Sequence, residues 1–465
     1  MKTIIVAAPQ SGSGKTTITL GIMETMRRRG LSVAPFKVGP DFIDPGYHRL
    51  VIGRTSINLD GWILSEETVR SFFERHSFGA DVAVIEGVMG LFDGIDGVHE
   101  AGSTAQIAKI LGAPVILVID ARSQGRSVAA LVKGYATFDP DVWIRGVIFN
   151  NVGSDNHARV LKSAVESLDL GIPVLGSIPR DERLTIPSRY LGLFTADEDP
   201  LSPSYLDHLA EVMRQRLDFG MIWAAGGGSV LGEPVPLEIS CRVDSPRARI
   251  AVARDLAFSF VYETNLRLLE EAGGEIVPFS PLTDPSLPER VDGLYLPGGY
   301  PELFAEQLAE NRSLIRQIRG LIRKGLPTYG ECGGFIYLTR GVRSSLGVML
   351  GEFVGIFPVE TTMLTRRKGL GYREVELRRD TVIGPAGTVI RGHEFHYSEM
   401  KDMPRRVPRV YSLRKPGIDL GSEGFVYKNC LGSYVHLHFG SNPAAACAFV
   451  DACEGWRKGV GKGSP

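Results

Sequence analysis

Cys332 has the sequence surroundings of a catalytic nucleophile. A short apolar strand pattern at 327–331 runs into a turn with glycines on both sides of the cysteine, and a helical run at 335–338 follows. Glycines permit a strained strand-to-helix turn, and a helix start behind the sulfur favours the thiolate over the thiol. About a hundred residues later, His436 in the strand-like run 432–439 is a candidate base for that thiol. The pair predicts nucleophilic catalysis by Cys332.

A second chemistry is indicated near residue 1. An apolar strand at 4–8 leads into a loop rich in glycine and hydroxyl side chains, and a helical stretch at 18–29 follows. In such a loop the backbone amides wrap phosphate oxygens, Lys15 reaches the outer phosphates and the Thr16 hydroxyl faces a magnesium ion. Pro9 replaces the first glycine of the usual spacing. The residues predicted to bind phosphate are Gly12, Ser13, Gly14, Lys15, Thr16 and Thr17.

Four carboxylates follow two further predicted strands of the same half. Asp41 and Asp44 come after the second strand, and Glu86 and Asp93 come after the third. The carboxyl ends of parallel strands form the ligand crevice of an open sheet, so we expect these acids to converge on the phosphate loop. Hard oxygen ligands beside a triphosphate indicate magnesium, and Lys37 in the same place would offset charge on a transferred phosphoryl group.

Strand and helix patterns alternate along the chain and predict an α/β protein with a mostly parallel sheet. The alternation stops near residue 200, a glycine- and proline-rich stretch follows, and a new strand begins at 248. We therefore predict a phosphate-binding domain at 1–222, a linker at 223–247, a second domain at 248–455 and a disordered tail at 456–465. The strands predicted in the first domain are 3–8, 32–37, 82–86, 115–119, 144–150 and 174–178.

Composition restricts the partners and the compartment. The 465 residues are too many for one core, and a net charge of −1 without a dense basic stripe argues against a nucleic-acid partner. No apolar run approaches bilayer length, which predicts no membrane association and a cytoplasmic protein. Five cysteines, an odd number without metal-ligand spacing, predict free thiols in a reducing compartment. They are Cys241, Cys332, Cys430, Cys447 and Cys453.

The order of these motifs resembles the cobyrinate a,c-diamide synthase family of cobalamin biosynthesis over nearly the whole chain. The resemblance rests on residues 12–16, 37–45, 86–94, 296–302 and 330–334. It implies a P-loop domain followed by a flavodoxin-like class I glutamine amidotransferase domain. The implied activity is a glutamine-hydrolysing ligase that uses ATP and Mg²⁺ to amidate the a and c acetate groups of a corrinoid carboxylate. A homodimer is a further expectation.

The resemblance also implies a role for each matching residue. Cys332 would form a glutamyl thioester and His436 would accept its proton. The other implied roles are an oxyanion hole at Gly298 and Gly299, magnesium binding by Thr16, Asp44 and Glu86, and orientation of nucleotide or intermediate by Asp41 and Asp93.

Several alternatives stay open at this point. His438 occupies the position where many glutamine amidotransferases carry a glutamate, and it competes with His436 for the base role. His393 and His396 form a further cluster, which we interpret as a substrate-side or interdomain element in preference to a zinc site. The acceptor could be hydrogenobyrinate or nickel-sirohydrochlorin, and the nucleotide could be GTP, although the guanine-specific motif is absent. A nucleotide-dependent switch protein, or a glutaminase without a synthetase, is the competing class.

Overall fold

The computed structural model describes residues 1–186, 188–189, 192–193, 195–198, 201–228, 241–243, 245–401 and 403–461. The chain divides into two compact units, Met1–Leu237 (unit 1) and Glu238–Pro465 (unit 2). The family models reported below also separate two domains, and the predicted α/β class is confirmed.

Unit 1 is built around seven parallel strands in the order β3-β2-β4-β1-β5-β6-β7, and β10 pairs antiparallel with β1. The main strands are β1 (Lys2–Ala7), β2 (Val33–Val38), β3 (Ile57–Leu59), β4 (Val82–Glu86), β5 (Val115–Asp120), β6 (Ile144–Val152) and β7 (Val174–Pro179). The short strands are β8 (Ser188–Arg189), β9 (Gly192–Leu193) and β10 (Gly227–Gly228). The helices are α1 (Lys15–Arg28), α2 (Ile43–Ile52), α3 (Glu66–Ser77), α4 (Thr104–Leu111), α5 (Ser127–Phe138), α6 (Asp155–Glu166), α7 (Pro203–Arg216) and α8 (Phe219–Ala225).

The central strands of unit 1 are apolar because helices cover both faces of a parallel sheet. All five residues of β4 are buried, and the core on one face joins Ile4 and Val6 of β1 to the buried side of α1. Serine side chains accept the backbone N–H three residues ahead and so fix the starts of four helices. These caps are Ser65, Ser103, Ser154 and Ser202.

The large sheet of unit 2 has a parallel part and an antiparallel part, which we call the antiparallel arm. Its ten-stranded sheet has the order β12-β11-β13-β14-β23-β22-β21-β18-β19-β24, in which the first five strands are parallel. These strands are β11 (Ala248–Ala253), β12 (Gly274–Phe279), β13 (Gly293–Leu296), β14 (Thr328–Glu331), β18 (Gly369–Leu377), β19 (Val389–His396), β21 (Arg409–Lys415), β22 (Ile418–Tyr427), β23 (Cys430–Ser433) and β24 (His436–Leu437). A smaller sheet contains β15 (Gly341–Arg343), β16 (Met349–Glu352), β17 (Glu360–Met363) and β20 (Ser398–Met400).

The helices of unit 2 are α9 (Glu263–Glu271), α10 (Ala305–Glu310), α11 (Arg312–Lys324), α12 (Gly333–Leu338) and α13 (Ala444–Gly461). The main core gathers buried side chains from the parallel strands, from α11 and from α12, including Leu294, Ile318 and Phe335. Helix α12 follows β14 directly, so the chain turns from strand to helix at Cys332 alone.

The six strands predicted in the first domain are confirmed with ends that differ by at most two residues. Helix α1, in contrast, begins at Lys15 and not at 18, because its first turn is polar and carries no apolar periodicity. The run 432–439 is not one strand. It is divided between β23 and β24, and the chain leaves β24 after Leu437.

Two parts of the predicted domain layout differ in the structure. Residues 223–228, predicted as linker, end helix α8 and form β10 on the unit 1 sheet. Most of the remaining predicted linker, residues 229–240 and 244, lies outside the described residues. Residues 456–461, predicted as a tail, continue helix α13, and 462–465 lie outside the described residues.

The prediction of five free thiols is wrong for two of them. Cys241 and Cys447 form a disulfide across a sequence separation of 206 residues, and both belong to unit 2. Cys332, Cys430 and Cys453 are buried free thiols. A pairing at this separation leaves no local sequence signal. Among the described residues, no helix combines the length and the apolar character that a membrane span requires.

Candidate active sites

The phosphate loop of unit 1 follows β1 and ends at the first turn of α1. Gly12 and Gly14 have φ angles of 79° and 90°, the left-handed region that favours glycine. A Cβ on Gly14 would lie 2.1 Å from Asn150 Nδ2, and this amide donates to the Ser13 carbonyl oxygen at 3.0 Å. Asn150 therefore supports the phosphate loop from the end of β6.

Lys15 is almost fully buried at the start of α1. Its Nζ donates to the carbonyl oxygens of Gln10, at 3.2 Å, and Met89, at 2.5 Å. Burial, followed by the charge of Lys37, lowers the pKa of Lys15 to about 8. Two carbonyl oxygens hold this buried ammonium. The oxygens of an incoming phosphate can replace them as its hydrogen-bond acceptors.

Glu86, the last residue of β4, is the centre of the unit 1 site and is fully buried. Its Oε1 accepts the Thr16 hydroxyl at 2.7 Å and lies 3.1 Å from Lys37 Nζ, while its Oε2 lies 2.8 Å from His48 Nε2. Burial alone raises the pKa of this carboxyl. The charge of Lys37 and the hydrogen bonds from His48 and Thr16 outweigh burial and hold the pKa below its usual range.

Lys37 forms ion pairs with the two carboxylates that follow β2. Its Nζ lies 2.5 Å from Asp44 Oδ2 and 3.9 Å from Asp41 Oδ2. Burial disfavours the ammonium, but Asp44, Glu86 and Asp41 raise the pKa of Lys37 above its ordinary value. Burial and the charges of Asp41 and Glu86 raise the pKa of Asp44, and Lys37 opposes them. Three of the four predicted acids, Asp41, Asp44 and Glu86, therefore converge on Lys37 in the structure.

Asp41 and Asp93 accept hydrogen bonds from backbone N–H groups in the loops around this centre. Asp41 Oδ1 accepts the backbone N–H groups of Ile43, at 2.8 Å, and Asp44, at 3.3 Å, at the start of α2. Asp93 Oδ2 accepts the N–H of Gly90 at 2.9 Å, and its charge acts on Lys15. Their predicted contacts with nucleotide or intermediate stay predictions. Thr17 lies in the first turn of α1.

The oxygen groups of this site fit a magnesium ion. The Thr16 hydroxyl contacts Glu86, and Lys37 holds Glu86 and Asp44 on one ammonium, so three hard oxygen ligands share one location. Magnesium keeps several waters and needs only one or two carboxylates. In the described part of the chain, no three histidine, cysteine, aspartate or glutamate side chains are grouped so that they alone could hold a metal ion.

Cys332 of unit 2 stands on the strained turn that the glycines predict. Its φ and ψ are 47° and −104°, a conformation that non-glycine residues avoid unless the surroundings hold it. The backbone N–H of Cys332 donates to the Ser433 carbonyl oxygen at 2.7 Å, which ties the turn to β23. The thiol donates to the Phe395 carbonyl oxygen with an S···O distance of 3.8 Å.

The predicted preference for the thiolate is wrong. Burial raises the pKa of the Cys332 thiol well above its ordinary value, and the charges of Glu302, Glu331 and Glu394 add to the shift. Helix α12, which has only six residues, does not compensate for this loss of solvation. The Cys332 side chain is therefore a neutral thiol in the structure.

His436 is a neutral imidazole in β24. Burial and the charge of His396 lower the pKa of His436 to about 3, and Glu394 opposes them. The ring stacks on His393 with a centroid distance of 4.9 Å and an interplanar angle of 13°. Gly298 faces the same ring, because a Cβ there would lie 2.2 Å from His436 Cε1. A neutral imidazole is the form that accepts a proton.

Gly298 and Gly299 have different roles in the loop after β13. The N–H of Gly298 donates to the Phe260 carbonyl oxygen at 3.1 Å, so the predicted oxyanion contact from this amide is wrong. Gly299 is adjacent to the turn after the nucleophile, since a Cβ on Gly333 would lie 2.8 Å from Gly299 N. An oxyanion contact from Gly299 stays a prediction.

His438 uses both ring nitrogens within unit 2. Its Nδ1 accepts the Gly440 N–H at 3.0 Å, which leaves Nε2 as the protonated nitrogen that donates to Thr264 Oγ1 at 3.0 Å. The predicted strand-like run 432–439 would place His436 and His438 in one strand, but β24 ends at Leu437 and His438 lies beyond it. These contacts favour His436 over His438 as the base.

The remaining histidines belong to β19. His393 Nδ1 lies 2.8 Å from the Tyr262 hydroxyl. Glu394 contacts His396 Nε2 at 2.7 Å and Arg373 Nε at 2.6 Å. The side chains of Glu394 and His396 share one face of β19, as the strand period predicts. The cluster is next to the nucleophile, because the carbonyl oxygen of Phe395, between Glu394 and His396, accepts the hydrogen bond of the Cys332 thiol.

Sequence reasoning missed His48 and the brace formed by Asn150. A signal for His48 was available, because His48 follows Asp44 by four residues and the two share a face of α2. Asn150 had no such signal. Its contact with the phosphate loop depends on the pairing of β5 with β6 and on the loop geometry.

Comparison with known proteins identifies both halves of the chain. Residues 4–193 match the CobQ/CobB/MinD/ParA nucleotide binding domain, and residues 249–444 match the CobB/CobQ-like glutamine amidotransferase domain. These matches confirm a P-loop domain followed by a glutamine amidotransferase domain.

Three relatives that match over nearly the full length of this chain have the same name. The chain is 42% identical to the cobyrinate a,c-diamide synthase of Caldanaerobacter subterraneus subsp. tengcongensis, over 97% of this chain and 98% of the relative. Identity to the enzyme of that name from Syntrophotalea carbinolica is 43% over the same shares. For Methanosarcina acetivorans it is 42%, over 98% of this chain and 96% of the relative. The chain belongs to the cobyrinate a,c-diamide synthase family of glutamine-dependent amidotransferase ligases.

Proposed function

We propose that this protein amidates the a and c acetate side chains of cobyrinate in cobalamin biosynthesis, using ATP, Mg²⁺ and glutamine. One observation carries the proposal: a cysteine on a strained strand-to-helix turn and a phosphate loop ringed by carboxylates occur in separate units of one chain. A nucleotide-dependent switch needs only the second of these features, and a glutaminase without a synthetase needs only the first.

Unit 2 would release ammonia from glutamine. His436 takes the proton of the Cys332 thiol, and the thiolate attacks the carboxamide carbon to form a C–S bond. The proton returns to the leaving nitrogen, which departs as ammonia, and water then hydrolyses the thioester to glutamate. The Gly299 amide is the candidate donor to the oxygen that becomes negative in the tetrahedral intermediate.

Unit 1 would activate the acceptor. An acetate oxygen of the corrinoid attacks the γ-phosphorus of ATP, ADP leaves, and ammonia displaces phosphate from the resulting acyl phosphate. Lys15 and Lys37 supply positive charge to the phosphoryl group as it transfers. When bound, magnesium would neutralise charge on the phosphate oxygens, and Thr16, Asp44 and Glu86 would hold it.

The proposal is tested by supplying glutamine labelled in its amide nitrogen, with ATP, Mg²⁺ and one acceptor at a time. Mass spectrometry then counts the labelled amides on cobyrinate, hydrogenobyrinate and nickel-sirohydrochlorin. We expect two labels on cobyrinate. Two labels on only one of the other acceptors would assign that acceptor instead, and ATP hydrolysis without any amide would indicate the switch protein. Replacing ATP by GTP in the same assay identifies the nucleotide.

A cysteine variant separates the two reactions. Cys332→Ala should lose amidation with glutamine and keep it with ammonium salts, because the synthetase site has no role for the thiol. Cys430→Ala, at another buried free thiol of unit 2, is the matched control and should keep both. Loss of ammonium-dependent amidation in folded Cys332→Ala protein would contradict separate sites.

ATP and glutamine are cytoplasmic metabolites, so we place the enzyme in the cytoplasm. Reducing conditions there oppose the disulfide Cys241–Cys447. Thiol alkylation of protein taken directly from cells, followed by mass spectrometry, measures the oxidised fraction. The expected homodimer is tested by light scattering.

A further inference from the structure

Glu331 is a fully buried carboxylate that the proposed mechanism does not use. Its Oε1 accepts the Tyr295 hydroxyl at 2.7 Å. Its Oε2 accepts the Tyr329 hydroxyl at 2.9 Å and the backbone N–H of Leu437 at 3.2 Å. Burial raises the pKa of Glu331 to about 7, and these three hydrogen bonds oppose the shift. Burying a carboxylate destabilises a fold, and here three hydrogen bonds offset that cost. We therefore expect Glu331 to have a role beyond packing.

The groups bonded to Glu331 belong to the strands that carry the glutamine-hydrolysing residues. Tyr295 lies in β13, three residues before Gly298. Glu331 itself ends β14 and precedes Cys332. Leu437 lies in β24 and follows His436. One carboxylate therefore joins the strand before the candidate oxyanion loop, the strand before the nucleophile and the strand of the base.

Direct strand pairing does not provide the same connection. β13 pairs with β14, but β24 pairs with β19 at the other end of the strand order, and no ladder joins β14 to β24 among the described strands. Besides the β19 ladder, Asn265 of α9 holds β24 by donating to the Leu437 carbonyl oxygen at 2.8 Å and accepting the Phe439 N–H at 2.8 Å. The hydrogen bond from Leu437 to Glu331 is a link from the base strand to the nucleophile strand.

We propose that Glu331 is a positioning residue for glutamine hydrolysis, whose carboxylate sets the distance between Cys332 and His436 and aligns both with the loop after β13. This inference rests on the proposed function, since it assigns a role within that reaction. A positioning carboxylate acts through its hydrogen-bond acceptors. An isosteric amide retains much of that capacity, because Gln can direct its oxygen to Tyr329 and Leu437 and its amino group to the Tyr295 oxygen.

The test compares Glu331→Ala and Glu331→Gln in glutamate release by the full-length protein. An error of about 1 Å in the placement of reacting groups costs about 10²-fold in rate, so we expect this loss in kcat for Glu331→Ala. KM for glutamine should stay within about threefold, because the change affects the reaction and not uniform binding. Glu331→Gln should remain within about fivefold of the wild-type kcat, since most of its acceptors are preserved. Amidation with ammonium salts should be unchanged in both.

Asp292→Ala is the matched control for a merely structural role. Asp292 is also buried in unit 2 and accepts the Arg249 N–H at 2.8 Å, but it precedes β13 at the opposite end of the strand from Gly298. We expect its kcat to match the wild type. Tyr295→Phe removes one contact to Glu331 with little change of volume, and it serves as the second variant if Glu331→Ala does not fold. Its kcat should fall by about tenfold through loop displacement.

Three results would overturn the assignment: a kcat of Glu331→Ala, or of Tyr295→Phe in its place, near the wild type; an equal loss in Asp292→Ala; or no recovery in Glu331→Gln. If the wild-type protein releases no glutamate at all, the proposed function fails and the inference fails with it. Normal glutamate release by the wild type combined with any of the three results refutes the inference alone.

Discussion

Replacing Gly298 with alanine should separate glutamine hydrolysis from amidation. The new Cβ would lie 2.2 Å from His436 Cε1 and 3.0 Å from Nδ1, whereas ordinary van der Waals contact begins at 3.4 Å. The imidazole must therefore move by about 1.2 Å, and it stacks on His393, so it cannot retreat without repacking. A displacement of about 1 Å costs about 10²-fold in rate, which is about 2.7 kcal/mol of transition-state stabilisation.

The assay is steady-state glutamate release beside amidation with ammonium salts. We expect Gly298→Ala to lose the first and keep the second, because the methyl group is added in unit 2. Gly320→Ala is the matched control, since Gly320 lies within α11 and an added Cβ has no atom from outside that helix within 4 Å. Its activity should equal the wild type. Wild-type glutamate release by Gly298→Ala would show that His436 is not the base, or that the ring position is not decisive.

Three further predictions concern the other groups. Glu86→Gln should abolish amidation with either nitrogen source while glutamate release survives, because Lys37 and Thr16 lose the charge that organises them; ongoing amidation would contradict the assigned magnesium ligands. Asp93→Asn should change the ratio of monoamide to diamide in a time course, because Asp93 holds a loop beside the phosphate-binding centre. An unchanged ratio with no free monoamide would refute its predicted role in orienting nucleotide or intermediate. Burial lowers the pKa of His438 from 6.5 to about 3, so unfolding takes up a proton between these pH values and stability falls as pH falls. His438→Gln should therefore remove about 1.4 kcal/mol per pH unit from the pH dependence of unfolding free energy between pH 6 and 4, measured by urea titration.

The parallel sheet of unit 1 was predictable because each buried strand is a short apolar run between polar turns. The convergence of Lys37, Asp44 and Glu86 followed from the same sheet, since β2 and β4 are parallel neighbours and end at one edge. The antiparallel arm of unit 2 gave no comparable signal. Its longest strand, β22, is exposed over most of its length, so no apolar run marks it.

The chemistry of Cys332 shows where local reasoning was insufficient. The glycines predicted the strained turn correctly, because that conformation is a backbone property of a few residues. The acidity of the thiol depends on burial and on Glu302, Glu331 and Glu394, which the fold brings near from several segments. Glu331 was visible only as the residue before the cysteine. Its partners Tyr295 and Leu437 lie 36 and 106 residues away in the sequence.

The order of strands in unit 2 also has a consequence for the protein during its synthesis. β14 pairs with β23, and the residues between them include α12, the smaller sheet and most strands of the antiparallel arm. A nascent chain that has emerged only to the end of β21 contains the cysteine but lacks its neighbouring strand β23 and the histidine of β24. Such a chain cannot hydrolyse glutamine. In the proposed mechanism, ammonia release thus begins only after every strand of the unit 1 sheet, whose proposed reaction consumes the ammonia, has been translated.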